Sequence, residues 1–170
     1  MTATDQTDWL PPALRGDPLL EAMLTAAEAA RAVIVAGAAT RSTLVWESKT
    51  ALDYVSDVDR GAEHAIRAVL AERYPEAQII GEEFSPDAVA GDALTFVVDP
   101  LDGTTNFLHG FPWYAVSIGV LTEGTLLAGV VHNAATNELF VARHDQGAWR
   151  RSAAGDAERL HVSGIASPSH

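Results

Sequence analysis

Phe96-Val97-Val98-Asp99-Pro100-Leu101-Asp102-Gly103-Thr104-Thr105-Asn106 carries an apolar β run directly into a turn with two acids. The three apolar residues predict a buried strand that delivers Asp99 to its end. Pro100 keeps Asp99 extended, because a residue before proline is pushed out of the helical region. Asp102-Gly103 turns the chain, and Thr104-Thr105-Asn106 can open a short helix. Two carboxylates three residues apart on such a turn can converge on one point. The N–H groups of Gly103 and Thr104, at a helix start, would form a seat for an anion. Carboxylates beside a phosphate seat repel the phosphate unless a cation lies between them.

A second acidic turn lies upstream. Gln78-Ile79-Ile80 reads as another short strand, and it ends in Gly81-Glu82-Glu83. Further acids occur at Asp53, Asp57 and Asp59, and at Asp92. Two strand ends bearing acids would hold a cation rigidly. Hard oxygen ligands, no cysteine and no paired histidines point to Mg²⁺. Two such ions about 3.5–4 Å apart can polarise a phosphate and ionise a water between them. The implied reaction is metal-assisted phosphoester hydrolysis without a covalent intermediate. Taken alone, Asp59 also fits the acid of a capping box, Ser56-Asp57-Val58-Asp59, at the start of a helix.

The rest of the chain predicts an α+β fold, two N-terminal helices packed on a largely antiparallel sheet. Residues 1–18, rich in proline, read as a flexible arm, and 19–170 as a single domain. Asp17-Pro18 supplies a cap and first helical position for a helix over Leu19–Ala39. A second helix follows the capping box and ends before Pro75. Thr43–Glu47 reads as a short strand. Tyr114–Thr122 and Thr125–His132 read as a hairpin around Glu123-Gly124. Glu138–Arg143, Ala148–Arg150 and Leu160–Val162 supply further β elements.

Composition narrows the function classes. The 170 residues carry 11 basic and 23 acidic side chains, a net charge of −12. That balance argues against nucleic-acid and anionic-membrane partners, which call for Lys and Arg. Zero cysteines exclude disulfides, thiolate metal sites and cysteine nucleophiles. The opening residues show no signal-peptide pattern, and no apolar run reaches the roughly 20 residues of a membrane span. The expected setting is cytoplasmic. The six histidines have no pair at ligand spacing on a helix and read as structural or exposed. Zincin, nucleophile-elbow, phosphate-loop and dinucleotide-binding patterns are all missing from the sequence.

The ordered set of motifs resembles the inositol monophosphatase family. The residues that carry the likeness are Lys49, Asp53-Tyr54-Val55-Ser56-Asp57-Val58-Asp59, Gly81-Glu82-Glu83, Val98 to Phe107, Phe111-Pro112 and Ala115-Val116-Ser117-Ile118-Gly119. The likeness runs from about Leu20 to Val162. It implies half of the sugar-phosphatase fold. It also implies that Glu82, Asp99 and the Leu101 carbonyl hold a first Mg²⁺, that Asp99 and Asp102 hold part of a second, and that Glu82 shares a weaker third. Glu82 and Thr104 would orient and deprotonate the attacking water, with Asp59 hydrogen-bonding the threonine. The Gly103 and Thr104 amides would hold the phosphate, and Glu83 would support the loop.

Thr105-Asn106-Phe107-Leu108-His109-Gly110-Phe111-Pro112 favours an inositol 1-phosphate type of substrate. Phosphatases of histidinol phosphate or bisphosphate nucleotides, which share the metal acids, form the alternative. Members of the family are longer and carry a Trp-Asp-x-Ala-Ala-Gly motif in a second half. None of Trp9, Trp46, Trp113 and Trp149 precedes an Asp here. The resemblance therefore implies an N-terminal half with weak or lost activity, or a non-catalytic metal-binding remnant. It further implies an apolar surface that is exposed or covered by self-association into a homodimer.

Overall fold

The structure is a computed structural model that describes residues 7–41, 48–84 and 92–165, with residues 48–56 described by backbone alone. The expected strand at Thr43–Glu47 and residues 1–6 lie outside the described residues, as do the side chains of Lys49 and Asp53. Helix α1 spans Pro18–Arg41 and α2 spans Ser48–Arg73. Strands β1 (Gln78–Gly81) and β2 (Thr95–Asp102) precede a short helix α3 (Thr104–His109). Then come β3 (Ala115–Thr122), β4 (Thr125–Asn133), β5 (Leu139–Arg143), β6 (Gly147–Arg151) and β7 (Ala157–Leu160). The seven strands lie in chain order in one sheet. Among the described residues only β1 and β2 pair in parallel; every other neighbouring pair is antiparallel. This is the expected α+β architecture.

Helix α1 starts where the sequence places its cap. Asp17 Oδ1 accepts from the N–H groups of Leu19 and Leu20 at 2.9 and 3.1 Å. Its other oxygen, Oδ2, accepts from Arg143 Nε at 3.0 Å, which ties the cap to β5. Nine residues of α1 are buried, among them Ala22, Met23, Ala26 and Ala30, and they cover more than one stripe. The cause is packing on several sides: α2, one face of the sheet, and the segment preceding α1. That segment is a correction to the expected loose arm. Leu10 and Leu14 are fully buried and Thr7 nearly so. Turn hydrogen bonds Leu10 N–H to Thr7 O and Leu14 N–H to Pro11 O, both 2.9 Å, fold it against the core.

Helix α2 corrects the capping-box reading. It begins at Ser48, so Ser56 to Asp59 lie inside it rather than at its start. Its core stripe is Val58, Ala62, Ile66 and Leu70, spaced four apart. The helix ends at Arg73, ahead of Pro75, as expected.

Both helices cover the sheet face that carries Phe96, Val98, Val116, Ile118, Val120, Val130 and Val141. The opposite face is uncovered among the described residues. Val97 and Val131 are 43% and 39% exposed there, alongside the small residues Gly119 and Gly129. Glu123 and Gly124, with φ of 48° and 73°, form the tight β3–β4 turn. No described helix is long and apolar enough to cross a membrane.

If residues 7–17 are part of the core, Leu10→Ala and Leu14→Ala should each lower unfolding free energy by about 2–5 kcal/mol in urea denaturation. A loose arm would leave the midpoint unchanged.

Candidate metal and phosphate site

Strand register sets the site. Parallel pairing matches Gly81 with Val98, so the next residues, Glu82 just past the end of β1 and Asp99 within β2, stand side by side. On the other edge of β2, Asp99 pairs with Ser117 and Asp102 with Ala115. Pro100 and Leu101 of β2 thus oppose the single residue Val116 of β3, which makes a bulge. Asp99 Oδ1 accepts from the Leu101 N–H at 3.2 Å, which shapes this bulge. Gly103 then turns at φ 87°, and a Cβ there would lie 2.8 Å from the Trp113 carbonyl oxygen. Only glycine fits both the left-handed backbone and that contact. Helix α3 starts without any side-chain cap, leaving its first N–H groups unclaimed by side chains. Its far end is held by Arg41, the last residue of α1. The Arg41 guanidinium donates to the Phe107 carbonyl and sits 5.4 Å from the Phe107 ring centroid.

Helix α2 supplies the third wall. Asp59 is buried, and its Oδ1 has no hydrogen-bond partner. Burial pushes its carboxyl up to about 7, aided by the negative charges of Glu83, Asp99, Glu82 and Glu63. Asp99 is pushed up to about 6 by burial, then by Glu82 and Asp102, against the Leu101 N–H, which favours its charged form. Acids from α2, the β1 turn and the β2 bulge therefore share one field with too little positive charge. A cavity of about 280 Å³ opens beside Asp102 and Gly103, bordered by Trp113, Asn133 and Phe140.

Of the expected site residues, Glu82, Asp99, Leu101, Asp102, Gly103 and Asp59 are gathered here. Thr104 is present, but its expected bond to Asp59 is not formed. Its single hydroxyl proton goes to the Leu101 carbonyl at 3.1 Å. Asp57 points elsewhere, paired with Arg60 at 2.7 Å. Asp92 is exposed, and its backbone carbonyl serves the β3–β4 turn by accepting from Thr122 Oγ1 at 3.0 Å.

Glu63 is the residue that sequence reasoning missed. It is fully buried one turn beyond Asp59. It accepts from Arg67 Nε at 2.7 Å and from the Glu83 N–H at 2.9 Å. It therefore moors the Gly81-Glu82-Glu83 turn to α2. Gly81 lies so close that a Cβ would sit 2.0 Å from Glu63 Oε1. Arg67 extends from this pair towards the Phe84 ring, 5.7 Å from its centroid.

Among the described residues, no three His, Cys, Asp or Glu side chains are already arranged to hold a metal ion. The donor chemistry nevertheless suits a hard divalent cation. All the donors are oxygens, one buried oxygen is orphaned, and two carboxyls are raised by burial and by neighbouring negative charge.

The chain belongs to the inositol monophosphatase family, whose model matches residues 16–168. Nus factor SuhB of Pasteurella multocida is 39% identical over 132 residues, 78% of this chain and 49% of that protein. An inositol monophosphatase of Mesembryanthemum crystallinum is 40% identical over 138 residues, 78% of this chain and 50% of that protein. The crystal structure of extragenic suppressor protein suhB from Bartonella henselae superposes with a TM-score of 0.69 at 36% identity, covering 86% of this chain and 55% of that one. The chain spans about half the length of the curated relatives it matches.

Two outcomes test the site. In the native state Asp59 and Asp99 hold protons that the unfolded chain releases near pH 4. Their contribution without metal therefore falls as pH rises from about 4 to 7. Mg²⁺ should raise the melting temperature more at pH 8 than at pH 5, as read by differential scanning calorimetry. Gly81→Ala should destabilise the chain. Because the clash is with Glu63, its cost should shrink by about 0.5–3 kcal/mol in a Glu63→Ala background, as read by a double-mutant cycle.

Proposed function

We propose that this chain carries the cation-binding and phosphate-binding part of a Mg²⁺-dependent phosphomonoesterase that works by direct attack of water on phosphorus. The observation that carries the reading is the group of acids brought together from three separate elements, with one buried Asp59 oxygen left without a partner. Glu82, Asp99, Asp102 and the Leu101 carbonyl would hold Mg²⁺. When bound, the ion supplies the positive charge that polarises a phosphoryl oxygen and makes a water acidic. Glu82 and Thr104 orient that water and take its proton. Asp59, with an unpartnered oxygen, is the proposed acceptor for the Thr104 hydroxyl. The Gly103 and Thr104 N–H groups hold the phosphate.

The proposed substrate is a small phosphorylated polyol of the inositol 1-phosphate type, handled in the cytoplasm without a nucleic-acid or membrane partner. The net charge of −12 supports that last part. Several relatives are named Nus factors, so a filter-binding assay with RNA is the check on it. A second reading, a cation-binding chain without turnover, is favoured by the Thr104 hydroxyl, which donates to the Leu101 carbonyl and not to Asp59.

Titration calorimetry tests the proposal. Wild type should bind Mg²⁺ saturably, and Asp99→Asn should weaken binding at least about tenfold, a loss of about 1.4 kcal/mol. Equal affinity in Asp99→Asn would refute the site. Thr104→Ala should keep the Mg²⁺ affinity and slow release of phosphate from inositol 1-phosphate by about 10²-fold or more. Mg²⁺ binding with no release of phosphate by wild type selects the second reading.

A further inference from the structure

Between α1 and the β4–β6 part of the sheet lies a cavity of about 140 Å³. Leu24, Glu28 and Arg31 line it from the helix; His132, Asn137 and Arg151 line it from the sheet side. None of these residues belongs to the acidic cluster.

Its polar atoms do not balance. His132 is 2% exposed. Its Nε2 lies 2.9 Å from Asn137 Oδ1, and a carbonyl oxygen only accepts, so Nε2 donates. Burial holds the imidazole below the usual histidine range, which keeps it neutral and leaves Nδ1 a bare lone pair. That lone pair is buried without a partner. The nearby Glu28 Oε2, 3.8 Å away, is also an acceptor. Arg31 gives its Nη1 to Glu28 at 3.1 Å, but its Nε is buried without an acceptor. Arg151 lies 5.6 Å from the centroid of the Trp9 ring and pairs with no carboxylate among the described residues. An unmet Arg31 donor and an unmet His132 acceptor thus line one cavity, with the Arg151 guanidinium on the same wall. Buried groups left in that state cost about 1–3 kcal/mol each, so an occupant that meets both needs is favoured.

We propose that this cavity binds a small tetrahedral oxyanion that retains a proton, of the phosphate class. Its bare oxygens accept from Arg31 Nε and from Arg151, and its P–OH group donates to His132 Nδ1. Two arginines against Glu28 leave the walls one charge positive. The volume equals a few waters at about 30 Å³ each, which admits phosphate or the head of a small monoester. Sulfate offers no proton to His132 and should be rejected. Glu28 opposes the anion and limits its affinity.

Calorimetric titration of the metal-free chain in EDTA tests this, with inorganic phosphate, glycerol 1-phosphate and sulfate as probes. The expected result is one saturable phosphate site at least about tenfold tighter than sulfate. Binding of glycerol 1-phosphate as well identifies the head of a monoester as the occupant; its exclusion identifies the free ion. Arg151→Met should weaken phosphate at least about tenfold, and Glu28→Gln should tighten it. A misfolded variant would not bind more tightly, so Glu28→Gln separates a true site from damage. No saturable binding, equal affinity for sulfate, or no effect of Arg151→Met would show that the cavity holds only water.

Discussion

Like charges held together by strand register are the constraint around which this structure is arranged. Parallel pairing of β1 with β2 brings Glu82 alongside Asp99, and the β2 bulge brings Asp102 to the same end of the sheet. Burial first, and the repulsion of neighbouring carboxylates second, work against that placement and push the carboxyls of Asp59 up to about 7 and of Asp99 up to about 6. A fold selected only for stability gains nothing from it. The core must over-determine the arrangement, and a divalent cation would relieve it.

The packing that does so is distributed. Glu63 reaches from α2 to hold the Glu83 N–H, and Gly81 has no room for a side chain beside it. Gly103 makes the left-handed turn against the Trp113 carbonyl. Arg41 holds the C-terminal end of α3 to α1, and Asp17 ties the start of that same helix to β5 through Arg143. The Glu63, Arg41 and Asp17 contacts join elements twenty or more residues apart. Together they fix where the β1 turn, the bulge and α3 stand relative to one another.

The sequence made much of this legible, and for identifiable reasons. Short apolar runs predict β1 and β2, although β2 continues through Asp99 to Asp102 because β3 keeps pairing with it across the bulge. Asp17-Pro18 marks the start of α1 and Pro75 the end of α2, since caps and proline act locally. The buried character of Leu10 and Leu14 was hidden by the surrounding prolines, which suggest an extended arm wherever tertiary contacts are unknown. Ser56 to Asp59 satisfied a capping box yet lie inside α2, because nothing local in the sequence forbids a helix from starting earlier. Glu63 left one faint signal, an acid four residues from Asp59 beside the Val58-Ala62-Ile66-Leu70 stripe. Its partner, the Glu83 N–H, is twenty residues away and could not be read without the fold. Thr104 shows the converse: the resemblance implied an Asp59 partner, while the hydroxyl takes the nearer Leu101 carbonyl.

Paramagnetic broadening by Mn²⁺ in backbone NMR spectra tests the shared cation most directly. A single site built from three elements predicts that amides of residues 59, 81–83, 99 and 101–104 broaden together, at one saturating concentration, while those around His132 and β7 stay sharp. Broadening of only one of these segments, or broadening scattered over the acidic surface, would contradict a common centre.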